Sequence, residues 1–121
     1  MSENIIPRSM QKSYETFHFA PARKHNGVIY FSGQIGSGDT EAEEFRSAWE
    51  LVGTILREAG LNYEHIIEFT SYHVGLQSHI GEFMKVKDEF LKEPYPAWTA
   101  IGITELAVPG ARVEIRVVAG E

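Results

Sequence analysis

A chain of 121 residues, 43% hydrophobic and 23% charged, is one domain's worth of protein with enough apolar side chains for a real core, which argues against disorder or fibre. Eleven basic against seventeen acidic residues leave a formal charge of −6, so the surface repels phosphate backbones and generic nucleic-acid binding is disfavoured. The absence of cysteine removes disulfides, thiolate catalysis and cysteine-based zinc sites together.

The N-terminal arm, residues 1–16, has neither a basic-then-apolar leader pattern nor a span long enough to cross a bilayer. A cytoplasmic location without membrane attachment is the default expectation. No repeat, low-complexity tract or linker interrupts residues 1–121, which read as a single domain. After the arm, "YETFHF" reads as a short edge strand closed by Pro21. The first strong strand is "GVIYFSGQI", residues 27–35, rich in β-branched and aromatic residues. A helix follows: Thr40 and Glu43 have capping-box spacing, Phe45, Trp49, Val52, Leu56 and Ala59 recur at intervals of three and four, and Gly60 offers a left-handed stop. "HIIEFTSYHVGL", residues 65–76, reads as the next strand. Ser78 then opens a second amphipathic helix carrying Ile80, Phe83, Val86 and Phe90, which Pro94 and Pro96 end. Two strands, "AWTAIGI" and "ARVEIRVVA", complete a β-β-α-β-α-β-β order. The expected class is α+β, a mostly antiparallel sheet with two helices on one face.

Alternation along the strands then assigns sides. Ile29, Phe31 and Ile35 share one side, Tyr30, Ser32 and Gln34 the other; Val113, Ile115 and Val117 oppose Arg112, Glu114 and Arg116; Ile101 and Ile103 face away from Trp98, Ala100 and Gly102. One side is helix-facing core. The other is expected to carry Tyr30, Ser32, Gln34, Trp98, Arg112, Glu114 and Arg116. Rings and arginines mixed in this way suit a subunit boundary, and self-association through the helix-free face is inferred. A solvated face with scattered aromatics is the alternative.

Candidate chemistry is sparse. His18, His25, His65, His73 and His79 form no compact ligand pattern, so no metal site is expected. "SGQIGSG" lacks both the Walker lysine and the dinucleotide-binding glycine spacing, and reads as a strand-to-helix turn. Ser32 has no base nominated for it and suits hydrogen bonding. Glu114, flanked at i±2 by Arg112 and Arg116, is the best single candidate for orienting water or exchanging protons; an ordinary ion pair is the competing reading.

The order and spacing of "GVIYFSGQIG", "IIEFTSYHVGLQSHIGEFMKVKDEF", "PYPAW" and "PGARVEIRVVA" resemble the YjgF/RidA family, also labelled the endoribonuclease L-PSP family, over about residues 17–119. The resemblance implies a chorismate-mutase-like α+β fold and a homotrimer with ligand pockets in the clefts between subunits. It also implies cofactor-free hydrolysis of reactive 2-imino or enamino acids to 2-oxo acids and ammonia. Carried over residue by residue, Ser32 matches the family's pocket serine and Glu114 the glutamate that handles the attacking water. Phe19 stands where deaminating members usually have tyrosine, Lys87 where asparagine is typical, and Ala100 where cysteine is frequent. The family's P-A-R motif reads Pro96-Ala97-Trp98.

In deaminating relatives that arginine clasps the substrate carboxylate with two parallel hydrogen bonds, which an indole cannot reproduce. Losing such a contact costs on the order of a hundredfold in binding unless another cation replaces it. Standard 2-imino acid deamination is therefore not expected. Arg116, less so Arg112, and Lys87 are the candidate substitutes, against the reading that both arginines only neutralise Glu114 and acids such as Glu68. Alternatively Trp98 narrows the cleft for a flat or apolar ligand. The sequence thus points to a small-metabolite site of Ser32, Trp98, Phe19, Ala100, Lys87 and Arg116 around catalytic Glu114. The alternatives are a non-catalytic binding or interaction module of the same fold and, less favoured by the acidic charge, an endoribonuclease.

Overall fold

The computed structural model describes residues 2–121; Met1, the first residue of the arm, lies outside them. The strands β1 (Glu3–Ile5), β2 (Ala22–His25), β3 (Val28–Phe31), β4 (Ile66–Val74), β5 (Ala97–Ile103) and β6 (Val113–Gly120) form one sheet in the order β1-β2-β3-β6-β4-β5. The helices are α1 (Gln11–Phe17), α2 (Glu41–Glu58) and α3 (Leu76–Phe90). Neighbouring strands are antiparallel except β4 and β5, which α3 connects in the parallel sense. Among the described residues no helix is long and apolar enough to cross a membrane.

The expected α+β class and the two amphipathic helices are present. Thr40 Oγ1 accepts from the Glu43 N–H at 3.1 Å while Glu43 Oε1 accepts from the Thr40 N–H at 3.2 Å, which is the capping box the spacing predicts. The stripe Phe45, Trp49, Val52 and Leu56 is fully buried, and Gly60 ends the run at φ +76°. α2 and α3 pack side by side on one face of the sheet, with Phe83 and Val86 of α3 buried against Phe45 and Trp49.

Three expectations fail, each for a local reason. "YETFHF" is not a strand: its first residues end α1, and His18 closes that helix in the left-handed conformation at φ 62°. The true edge comes from the arm and from the residues after Pro21, because β1 pairs with β2. α3 begins at Leu76, directly after Gly75, two residues before Ser78.

The third failure concerns the sides of the sheet. β3 pairs with β6 regularly to Tyr30↔Val118, but pairing resumes one residue out of step at Gln34↔Ile115. The extra residue at Ser32-Gly33 exchanges sides for everything after it. Gln34 thus joins the buried face at 8% exposure, and Ile35 moves away from Ile29 and Phe31. On β5, Trp98 lies opposite Phe69, whose other neighbour is the fully buried Val117, so Trp98 faces the helices. Ile101 lies opposite Tyr72, itself opposite Glu114, and so belongs to the helix-free face. The alternation within β5 is as expected; its assignment to core and open face is reversed.

The helix-facing layer contains a polar chain. Trp98 Nε1–H donates to Ser71 Oγ (2.9 Å), Ser71 Oγ lies 2.7 Å from His73 Nε2, and His73 Nδ1 lies 2.9 Å from His79 Nε2. Ser71 and His73 are fully buried. An indole N–H can only donate, so the Ser71 hydroxyl hydrogen is free for His73 Nε2, and His73 in turn donates from Nδ1 to His79. In this arrangement a proton added to His79 Nε2 would face the His73 Nδ1–H, and one added to His73 Nε2 would displace the hydrogen bond donated by Ser71. Burial, and then the neighbouring His79, push His73 down to about 4, and burial also lowers His79, while Glu41 pulls the other way, Arg112 adds to the lowering and Glu44 opposes it.

A second buried anchor fixes the start of β6. Glu44, 4% exposed, accepts from the Arg112 backbone N–H (2.7 Å) and from Arg112 Nη1 (2.8 Å).

Two stability measurements follow from these contacts. The unfolded chain protonates His73 near its ordinary 6.5, the folded chain only near 4, so its contribution is full above pH 6.5 and declines as pH falls toward 4, by about 3 kcal/mol in all. Urea midpoints between pH 7.5 and 5 should fall on acidification, and His73→Gln should flatten that slope; an unchanged slope contradicts the neutral chain. Glu44→Ala should cost about 2 kcal/mol in the same assay, because it removes two charge-assisted bonds while Arg112 keeps partial access to water.

Candidate functional site

The residues singled out from the sequence separate into two groups on opposite sides of the sheet. Glu114 lies on the helix-free face, opposite Tyr72 in the register. Its carboxyl group rests against Gly33, in the space a Cβ would fill, so a side chain at that position would push the Glu114 carboxyl aside. The Glu114 carboxylate has no hydrogen-bond or ion-pair partner among the described residues, and burial raises its pKa above the usual carboxylate range. Ser32 is adjacent, but its hydroxyl donates to the Ala20 carbonyl at 2.7 Å, which leaves only its lone pairs for a ligand.

Glu114 forms one wall of a cavity of about 510 Å³, within the range of small-molecule sites. Phe17, Phe19, Ile35, Ala107 and Val108 supply apolar walls, and Ser13 is the other polar side chain on the lining. Of these, only Phe19 was nominated from sequence. Ser13 and Phe17 carry no signal in sequence, because residues 13–17 fit the pattern of an arm and an edge strand while the fold makes them helical; Ala107 and Val108 come from the loop between β5 and β6, which carries no motif. The glycine directly after Ser32 was the one available signal for a close approach.

The second group sits on the helix-facing side at the β5 edge. Trp98 stacks on Phe69 with ring centroids 5.6 Å apart and an interplanar angle of 11°. Lys87, from the last turn of α3, holds its ammonium 5.4 Å from the Trp98 ring and 6.0 Å from that of Tyr95, and pairs with Asp88 at 2.8 Å. Ala100 is opposite Ser71 on the same side. Trp98 therefore has its N–H committed to Ser71, ring neighbours in Phe69 and Phe83 and a cation close by, which leaves little of it as an open stacking platform.

The arginines also part company. Arg112 does not stand beside Glu114: it is held by Glu44, as described above. Arg116 does lie on the open face, opposite Thr70, and makes no ion pair among the described residues. In one chain, then, Glu114, Ser32 and Phe19 are together, Trp98, Lys87 and Ala100 are together, and the sheet separates the two sets. The expectation that Ser32, Trp98 and Glu114 share one face is overturned by the pairing of Trp98 with Phe69. No group of three or more His, Asp or Glu side chains among the described residues is arranged to hold a metal ion.

Comparison with known proteins agrees with this architecture. Residues 10–121 match the family described as Endoribonuclease L-PSP. The chain is 32% identical over 122 residues to the RutC family protein YjgH of Escherichia coli (strain K12), covering 95% of this chain and 92% of that one. It is 31% identical over 103 residues to a 2-iminobutanoate/2-iminopropanoate deaminase of Homo sapiens, covering 76% and 72% of the two chains. A solved structure of protein YJGH superposes with a TM-score of 0.89 at 30% identity, covering 98% of this chain and 95% of that chain. With its six-stranded sheet, its helical layer and a match across nearly all its length, the chain belongs to the YjgF/RidA, or endoribonuclease L-PSP, family.

Proposed function

We propose that the protein is a homotrimer whose inter-subunit clefts bind a small metabolite and hydrolyse an imine or enamine to a carbonyl compound and ammonia. The observation that carries this reading is Glu114: a carboxyl group without a partner, beside a cavity, with its pKa raised by burial. As carboxylate it takes a proton from water while the water oxygen adds to the C=N carbon. Returning that proton to nitrogen completes the neutral carbinolamine; Glu114 then takes the carbinolamine's hydroxyl proton and hands it to nitrogen as the C–N bond breaks, so ammonia leaves as the carbonyl forms. Only water and proton transfers are needed.

The two separated groups support the assembly. Trp98, Lys87 and Ala100 lie at the β5 edge, where a second copy can reach them, so a neighbouring chain would bring its β5 edge to this chain's Glu114, Ser32 and Phe19. Exposed Tyr30 and Ile101 on the helix-free face are apolar area for the contact, at 45% and 41% exposure. The relatives named as deaminases add weight to the reaction class.

A non-catalytic binder of the same fold is the second reading, favoured by the engagement of Trp98 with Ser71 and Phe69: the P-A-R position offers no carboxylate clasp. The net charge of −6 weighs against RNA as substrate.

Ammonia release from freshly generated imines should fall roughly a hundredfold or more in Glu114→Gln. The wild-type rate should decline on acidification as Glu114 protonates, and the variant should lack that limb. Equal rates in both proteins overturn the hydrolytic role, and ligand-dependent thermal stabilisation without any ammonia release selects the binding module instead. Light scattering should give the mass of three chains; a monomer rules out the composite cleft.

A further inference from the structure

Three of the chain's most exposed large hydrophobic side chains, Phe17, Phe19 and Val108 at 67%, 51% and 50%, converge on the same cavity as Glu114. Scattered apolar residues are ordinary on a surface; convergence around a carboxyl group without a partner is not. Phe17 is the last residue of α1, and the left-handed His18 turns the chain between it and Phe19 so that both line one chamber. No Lys, Arg or His of this chain belongs to the lining, so an anion seated against these walls would face Glu114 with no cation from the same chain; the Lys87 that a neighbour would bring approaches from the β5 edge, not from these walls.

We infer that α1 makes this chamber a specificity pocket for the hydrocarbon side chain of an amine-derived ligand, its protonated nitrogen directed at Glu114 and no carboxylate on that side. Phe17 is the specificity-determining residue, with Val108 facing the same space. This deepens the proposed reaction, resting on it only for the identity of the nitrogen group as an imine. Apolar walls bury the hydrocarbon and exclude water, which strengthens the attraction between the ligand's N–H donors and the carboxylate. A substrate of this class carries an aromatic or branched substituent next to its C=N bond. Small anionic imino acids fit the chamber poorly, because their carboxylate has no partner on its walls.

The test uses stable probes on the full chain: benzylammonium, benzyl alcohol and benzoate, titrated by calorimetry at pH 7.5. Benzylammonium should bind saturably, one per chain, and benzoate should not. Phe17→Ala should weaken benzylammonium roughly tenfold or more, Phe17→Leu should retain most of the binding, and Met84→Ala, an exposed apolar side chain on α3, should leave it unchanged. Glu114→Gln should remove the preference for the ammonium over the alcohol. Benzoate binding as tightly as benzylammonium, or Phe17→Ala binding like wild type, overturns the inference. The two readings fail separately: Phe17-dependent amine binding in a protein that releases no ammonia supports this pocket and sinks the hydrolysis, whereas ammonia release without amine binding does the reverse.

Discussion

The placement of β4 between β6 and β5 is the constraint on which every other feature rests. Phe69, Ser71 and His73 are buried beneath α2 and α3, so the intervening residues, Thr70 and Tyr72, must face the other way. Through the register this sends Trp98 with Phe69 to the helical layer and Glu114 with Tyr72 to the open face. One slip of β4 by a residue would turn Phe69, Ser71 and His73 to the open face and bring Glu68, Thr70 and Tyr72 beneath the helices, at a cost of several kcal/mol. The aromatic interior of Phe45, Trp49, Phe83 and Phe69 makes such a slip unavailable.

Two kinds of buried polar group coexist and behave in opposite ways. The chain from Trp98 through Ser71 to His73 and His79 is closed, each partner satisfying the next, and its histidines stay neutral. Glu44 is likewise satisfied by Arg112. Two groups are open: the Trp49 indole N–H, fully buried without an acceptor, and the charged one, Glu114, half-buried, beside glycine and without a partner among the described residues. Such a group is a standing cost to the isolated chain, and its natural compensation is a ligand, a water or a neighbouring protomer.

The indole at the P-A-R position belongs with the closed group. Its N–H satisfies Ser71, its ring extends the stack on Phe69, and Lys87 stands close to it. A change that reads in sequence as the loss of a binding cation is, in the fold, the completion of an interior hydrogen-bond chain.

Much was determined by sequence alone: the α+β class, α2 with its capping box and its stripe from Phe45 to Leu56, and the strand cores of β3, β4, β5 and β6. These are local matters of periodicity, capping and β-propensity, which short stretches of chain specify by themselves. What the tertiary structure alone decided was which side of the sheet each strand presents, and hence that Trp98 and Glu114 part. Alternation gives relative order within a strand, but the absolute face depends on partners distant in sequence and on single-residue slips such as the one at Ser32-Gly33. The cavity is of the same kind: Phe17, Val108 and Glu114 come from a helix, a loop and a strand, and only packing brings them around one space.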